Sequence, residues 1–153
     1  IKLLRDQNVP VTLSLFSKGK AFEKLKQEYA MFDDFIFFED RVSRDKYVQL
    51  ISNYDLGVIV TDYRFSMPTF PSKIIEYFNA GLPCFCMIEE KSDIGEIIND
   101  DRLIYINNFD FSKSELEKIK VYIKKVHKNT QAYNFSSAEQ FRIKNVVRTL
   151  MEF

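Results

Sequence analysis

Residues 66–83, SMPTFPSKIIEYFNAGLP, predict a polar loop that leads into a short amphipathic helix. Pro71 suits the first position of this helix, because its missing amide N–H would have no partner there in any case. The sequence NAG at residues 79–81 ends the helix, and Pro83 opens an apolar run, CFCMI. The order loop, helix and strand is typical of an anion-binding corner in an α/β sheet.

Apolar runs of strand length alternate with helical patterns over most of the chain. Short strands that are apolar on both faces, with helices between them, indicate a parallel sheet that is covered on both sides. The predicted fold class is therefore α/β, a doubly wound parallel sheet with C-terminal helices. The predicted strands are residues 11–16, 35–38, 56–60, 84–88 and 103–106, and the predicted helices are residues 20–30, 44–53, 72–80, 93–99, 112–128 and 136–152.

The length of the chain predicts a single domain over residues 1–153, with residues 109–153 as its C-terminal helical extension. The first residues, IKLLRDQ, look like the end of a helix, so we expect the chain to begin inside a larger protein. In a doubly wound sheet of strand order 3-2-1-4-5-6, the first strand is central. That strand would precede Ile1, so we expect it to be missing, unless another segment replaces it or the strands are numbered differently.

The charges balance over the whole chain, with 22 basic and 22 acidic residues. This balance argues against a nucleic-acid partner. From Ser112 onward, however, nine basic residues outnumber four acidic ones. Such a segment favours either an ordinary solvated helix face or peripheral contact with an anionic membrane surface.

The two cysteines, Cys84 and Cys86, alternate on one predicted strand. Side chains two residues apart on a strand share a face but lie about 7 Å apart, which is beyond comfortable disulfide reach. We therefore expect buried thiols in a reducing cytoplasm. No run of the sequence approaches the roughly 20 apolar residues of a membrane-spanning helix. The expected location is the cytoplasm, with the inner face of the plasma membrane as the alternative.

The predicted helix at residues 72–80 carries the residues with the clearest chemical use. The amides of Ser72 and Lys73 lie at the positive end of the helix dipole, which suits a phosphate group. Glu76 can accept two hydroxyl hydrogen bonds at once, as a ribose diol requires. The alternative is a solvated Lys73–Glu76 pair on an ordinary helix.

Other kinds of site lack their residues in this sequence. His127 is the only histidine, and no second histidine or spaced cysteine is present to complete a zinc site. The sequence has no G-x-S-x-G elbow and no dinucleotide or Walker motif. It also has no D-x-D, so nothing in it requires a metal ion or another cofactor.

The strand DLGVIV, the sequence PSKIIEYFNAGLP at residues 71–83 and the small apolar strand after it resemble the C-terminal, donor-binding domain of GT-B glycosyltransferases. The resemblance is closest to the glycosyltransferase family 4 type and covers most of residues 11–108. It includes a strand with a small-residue loop at residues 11–19, a strand and turn at residues 35–42, and SNYD at residues 52–55. The resemblance implies the Rossmann-like half of a GT-B fold.

The resemblance also implies roles for individual residues. In that family the glutamate of the P-x-K-x-x-E helix binds the donor ribose, which carries over to Glu76. The preceding loop binds the diphosphate and the transferred sugar, which carries over to residues 67–73. Lys73 is the expected catalytic residue, because it would stabilise the leaving diphosphate. The expected donor-binding residues are Thr69, Phe70, Pro71, Ser72 and Glu76, together with Arg41, Val42 and Ser43 beside the nucleotide base.

The chain departs from the family pattern at two places. Pro68 lies eight residues before Glu76, where the paired-glutamate motif of the family has its first acid. The basic pair that often neutralises the diphosphate has no counterpart, so Lys18 and Arg64 are the alternatives. The acceptor site and the acid–base machinery belong largely to the N-terminal domain of such enzymes. We therefore expect this chain alone to bind a sugar nucleotide weakly and to catalyse nothing.

The implied function is that of a bacterial-type, hexosyltransferase-type glycosyltransferase in polysaccharide or glycolipid assembly. Its partners would be a nucleotide sugar and an acceptor glycan or glycolipid, the latter reached through the N-terminal domain. Two alternatives stay open. One is a nucleotide-sugar epimerase of related fold, and the other is a non-catalytic α/β interaction domain in which the Glu76 helix is only structural.

Overall fold

A computed structural model of the chain describes residues 1–62, 64–98, 100–107 and 112–129. Helices and parallel strands alternate in it, which confirms the α/β class. The strands are β1 (Leu13–Ser17), β2 (Ile36–Asp40), β3 (Gly57–Val60), β4 (Cys84–Met87) and β5 (Leu103–Ile106). The helices are α1 (Lys2–Arg5), α2 (Lys20–Glu28), α3 (Arg44–Ile51), α4 (Lys73–Asn79), α5 (Ile94–Ile97) and α6 (Lys113–Asn129), with a 3-10 turn at Ala30–Phe32.

The chain divides into two compact units, one at Ile1–Tyr47 and the other from Val48 onward. The first unit contains a two-stranded parallel sheet in which Leu13 of β1 lies opposite Ile36 of β2. The ring of Phe22 on α2 packs edge-on against Phe38, with 5.6 Å between the ring centroids. The assignment of residues 1–153 to one domain stays a prediction.

The second unit contains a three-stranded parallel sheet of order β3-β4-β5. Its register places Gly57 opposite Cys84, and Cys84 opposite Leu103. Side chains two residues apart on a strand point to the same side of the sheet. The side that carries Ile59, Cys84 and Cys86 packs against α4 and α5. The core on this face consists of Ile59, Ile74, Phe78, Cys84, Cys86, Ile88, Ile94 and Ile98.

The position of α4 on the sheet depends on a close contact at Gly57. A Cβ atom at Gly57 would lie only 2.7 Å from Cγ of Tyr77, so the tyrosine ring occupies the space that a side chain would need. Helix α4 ends at Asn79, and Gly81 follows with a φ of 74°, a left-handed conformation that favours glycine. The amide of Gly81 donates to the carbonyl of Phe78 at 3.0 Å, and the amide of Leu82 donates to the carbonyl of Tyr77 at 2.8 Å. These two bonds are those of a Schellman motif, and they confirm the helix end predicted at residues 79–81.

The elements predicted within the described residues are present, with small differences at their ends. The helix predicted at residues 20–30 ends at Glu28, because the chain tightens into the 3-10 turn. The helix predicted at residues 93–99 is only Ile94–Ile97, because Ile98 is extended, with φ −118° and ψ 102°. The helix predicted at residues 136–152, and the extension beyond residue 129, lie outside the described residues.

The start of α6 is a capping box. The sequence offers two such boxes, Ser112 with Glu115 and Ser114 with Glu117, and the structure shows the first. The amide and hydroxyl of Ser112 donate to Oε2 of Glu115 at 2.9 and 2.8 Å, and the amide of Glu115 donates to Oγ of Ser112 at 3.2 Å. These reciprocal bonds satisfy amides that a helix start leaves without partners.

The expectation that Cys84 and Cys86 are buried thiols is confirmed, since both are free and fully buried. Burial raises the pKa of the Cys84 thiol, and it raises the pKa of Cys86 to about 12. Both are therefore uncharged core side chains at neutral pH. Within the described residues, no helix combines the length and the apolar character needed to cross a membrane.

Candidate functional site

Three polar residues lie where the strands of the second unit end. Thr61 follows β3, Glu89 lies just beyond β4, and Asn107 follows β5. The carboxyl ends of parallel strands meet at one edge of the sheet, which we call the carboxyl edge. In open α/β sheets, ligands bind in the crevice outside this edge. The β3–α4 loop, residues 61–72, begins here.

Glu89 is the centre of the hydrogen bonds at the carboxyl edge, and its side chain is buried, with 1% exposed. Its Oε2 accepts a hydrogen bond from the hydroxyl of Thr61 at 2.6 Å. Its Oε1 accepts two from Thr69, from the amide at 2.7 Å and from the hydroxyl at 2.6 Å. One carboxylate therefore joins Thr61, where the β3–α4 loop begins, to Thr69 near its end.

These hydrogen bonds decide the charge of Glu89. Burial by itself raises the pKa of the carboxyl, but the donors on Thr61 and Thr69 lower it by more, so the pKa lies below the ordinary glutamate value. A carboxylate that accepts several hydrogen bonds is stabilised in its charged form. Glu89 is therefore an anion at neutral pH.

Two neighbouring side chains extend this arrangement. The hydroxyl of Ser92 donates to the carbonyl of Thr69 at 3.1 Å. The Nδ2 of Asn107 donates to the carbonyls of Glu89 and Glu90 at 3.3 and 3.4 Å. The amide, carbonyl and hydroxyl of Thr69 are thus all bound to the segment that follows β4.

Lys73 and Glu76 lie on the first turns of α4, directly after the loop. The Nζ of Lys73 is 2.7 Å from Oε2 of Glu76, and their side chains are 52% and 40% exposed. The opposite side of the helix carries Ile74 and Phe78, which are fully buried. Both charged groups are therefore within reach of a ligand in solution.

The other predicted donor-binding residues fall into two groups. Thr69, Phe70, Pro71 and Ser72 form one continuous segment with Lys73 in the second unit. Phe70 packs against the core, and Ser72 provides no side-chain cap for α4. The remaining three, Arg41, Val42 and Ser43, lie between β2 and α3 in the first unit.

Arg64, one of the two basic alternatives, has an acidic neighbour in the loop. Its Nε lies 2.8 Å from Oδ1 of Asp62, and its backbone amide donates to the same oxygen at 2.9 Å. The hydrogen bonds from Arg64 lower the pKa of Asp62 to about 2. A phosphate that used this arginine would compete with Asp62.

Sequence reasoning missed Glu89, although a signal for it exists. Each of the predicted strands at residues 56–60, 84–88 and 103–106 is followed at once by a polar residue. The carboxyl ends of parallel strands meet, so these three residues could have been expected to lie together.

Comparison with known proteins does not assign the chain to a family, because no family model and no curated protein matches it. In the part of the chain that the structure describes, no group of three or more His, Cys, Asp or Glu residues could hold a metal ion.

Proposed function

We propose that the chain is the nucleotide-sugar-binding half of a GT-B glycosyltransferase of hexosyltransferase type, which transfers a sugar to a polysaccharide or glycolipid acceptor. The observation that carries the proposal is the anchoring of the β3–α4 loop. Glu89 accepts hydrogen bonds from Thr61 and Thr69 of this loop at the carboxyl edge of a parallel sheet. The half-exposed Lys73 and Glu76 follow the loop directly.

The direction of the strands supports the doubly wound sheet that this proposal requires. The chain has a parallel pair, β1-β2, and a parallel triplet, β3-β4-β5. Every pairing between neighbouring strands is parallel within each of these two sheets, as in the sheets of this fold class.

The chemistry of the transfer suits Lys73 and Glu76. When the bond between sugar and diphosphate breaks, positive charge develops at the anomeric carbon and negative charge on the leaving diphosphate, which a cation stabilises. In the proposed complex, the Lys73 side chain leaves Glu76 and binds the diphosphate. Glu76 then accepts hydrogen bonds from the hydroxyls of the ribose. An exposed ion pair contributes only about 0–1 kcal/mol, so a diphosphate can displace it.

A non-catalytic α/β interaction domain is the second candidate, because one observation favours it. The 2.7 Å pair satisfies Lys73 and Glu76 without any ligand, as on an ordinary solvated helix. Nothing in the geometry favours the epimerase in the same way.

Titration of the purified chain with UDP-, GDP- and ADP-sugars separates the two candidates. We expect binding of one base type, and we expect Glu76→Gln to weaken it about tenfold, which corresponds to about 1.4 kcal/mol. The matched control is Glu117→Gln on α6, which breaks an i,i+3 pair whose Lys120 Nζ and Glu117 Oε1 are 2.6 Å apart. If the chain binds none of these nucleotides, or if both variants bind as wild type does, the donor site is wrong and the interaction domain is favoured.

A further inference from the structure

We propose that Glu89 is the positioning residue of this site: its buried carboxylate fixes the β3–α4 loop in the conformation that receives the phosphates of a nucleotide sugar. The proposal rests on the proposed function for the identity of the ligand. The anchoring of the loop is a separate claim, which is measured without any ligand.

The middle of the β3–α4 loop is not held by core packing. Residues 64–68 are exposed, and the side chain of Met67 is 73% exposed. Local hydrogen bonds join Arg64 and Phe65 to Asp62. The contacts of Glu89 come from farther away, since Glu89 is 28 residues from Thr61 and 20 residues from Thr69.

The geometry at Thr69 shows how the anchor acts on the expected donor-binding residues. Its amide donates to Glu89 and its carbonyl accepts from Ser92, so the peptide groups on both sides of Thr69 have fixed orientations. Phe70 then packs against the core, and Lys73 begins α4. A loop that is already ordered in this way loses less conformational entropy on binding than a mobile loop would.

A carboxylate fits these donors better than an amide. Its two oxygens accept three hydrogen bonds, and hydrogen bonds to an ionised acceptor are about twice as strong as neutral ones. In Glu89→Gln, the new side-chain NH₂ donates and therefore needs an acceptor. It cannot face Thr69, because the backbone amide and the hydroxyl of Thr69 both donate there. It can point only towards Thr61, whose hydroxyl can accept. We therefore expect Glu89→Gln to weaken the anchor and Thr69→Val to remove one of its donors.

The test compares Thr69→Val with Tyr122→Phe. Thr69→Val removes the hydroxyl that donates to Glu89. Tyr122→Phe removes a buried hydroxyl that donates to the carbonyls of Arg102 and Cys84, where β5 and β4 begin. Each variant loses one hydrogen-bonded hydroxyl from the same unit, but only the first loses a contact of the loop.

Two measurements are made on each variant. The first is the rate of limited trypsin cleavage after Arg64, which reports opening of the loop in the folded protein. The second is the dissociation constant for the sugar nucleotide that wild type binds. For Thr69→Val and Glu89→Gln, we expect faster cleavage and binding about tenfold weaker, because the loop must be ordered at the moment of binding. Thr69→Ser keeps the hydroxyl, so its cleavage rate and its dissociation constant should equal those of wild type. Tyr122→Phe should change neither quantity at a temperature where it is folded.

The results separate the claims. If cleavage of Thr69→Val and Glu89→Gln equals that of wild type, or if Tyr122→Phe accelerates cleavage equally, Glu89 does not anchor the loop. If cleavage rises but the dissociation constant does not change, the loop is anchored without a role in binding, and the positioning role is wrong. If wild type binds no sugar nucleotide, the proposed function fails and the positioning role fails with it, while the cleavage rates still decide whether Glu89 anchors the loop.

Discussion

The two ends of the β3-β4-β5 sheet both bury a charged side chain, but the partners of that side chain differ. At the end where the strands begin, which we call the amino edge, Arg102 is 2% exposed. Its Nε and Nη2 lie 3.0 and 2.8 Å from the carboxylate oxygens of Asp100, and its guanidinium carbon lies 4.3 Å from the centre of the Phe78 ring. At the carboxyl edge, Glu89 is buried against the hydroxyls of two threonines and one amide.

The difference in partners indicates a difference in role. Arg102 joins parts of the core: Phe78 belongs to α4, and the carbonyl of Arg102 accepts hydrogen bonds from Cys84 of β4 and Tyr122 of α6. Glu89 instead holds a loop whose residues 64–68, between the two anchors, are exposed. This loop leads to the half-exposed Lys73 and Glu76. The amino edge should therefore govern stability, and the carboxyl edge should govern binding.

The largest effect should come from Arg102→Met at the amino edge. It removes the guanidinium from the largely buried Asp100 carboxylate, and removal of one member of a buried ion pair costs about 3–5 kcal/mol. The free energy of unfolding, measured by urea denaturation, should fall by this amount. Affinity for a nucleotide sugar should not change in conditions where the variant is folded.

The double variant Asp100→Leu with Arg102→Met is the control for this prediction. Replacement of both charges by apolar side chains removes the buried carboxylate together with the guanidinium, so part of the lost stability should return. A loss below about 1 kcal/mol in the single variant would contradict the structural role that we give to the amino edge. A loss of affinity in the folded single variant would contradict the separation of the two edges.

Local sequence patterns predicted the strands, the end of α4 and the start of α6. These features depend on neighbouring residues, such as the apolar run CFCMI, the sequence NAG and the pair Ser112 and Glu115. The two buried charges could not be read in the same way. Glu89 belongs to EEK and Arg102 to NDDR, both of which resemble solvated turns. Their burial depends on partners that the folded sheet brings from distant parts of the chain, such as Thr61, 28 residues from Glu89.

The carboxyl edge should show a pH dependence that identifies the charge of Glu89. The hydrogen bonds from Thr61 and Thr69 lower the pKa of this group in the folded protein below the ordinary 4.5. Its contribution to stability is therefore fully present above the pKa of the unfolded chain and is lost as the pH falls through the lower pKa of the folded state. The loss should begin as the pH falls towards the ordinary glutamate value and should grow as the pH falls further.

Urea denaturation of wild type and Glu89→Gln between pH 3 and pH 7 measures this contribution. The stability difference between the two proteins should be largest at pH 7 and should shrink as the solution becomes acidic. Other carboxylates titrate equally in both proteins, so they cancel in the difference. A difference that stayed constant over the whole range would mean that the charge of Glu89 does not stabilise the loop contacts.

The smallest effect on stability should come from the exposed pair of Lys73 and Glu76. Glu76→Gln and Glu117→Gln each break an ion pair of i,i+3 spacing on a solvated helix face, so each should change the free energy of unfolding by less than about 0.5 kcal/mol. Urea denaturation in low and high salt checks this, because salt screens such pairs. A loss above about 1 kcal/mol for Glu76→Gln alone would mean that this carboxylate holds α4 in place. Glu76 would then have a structural role. The separation between stability at the amino edge and binding at the carboxyl edge would be contradicted.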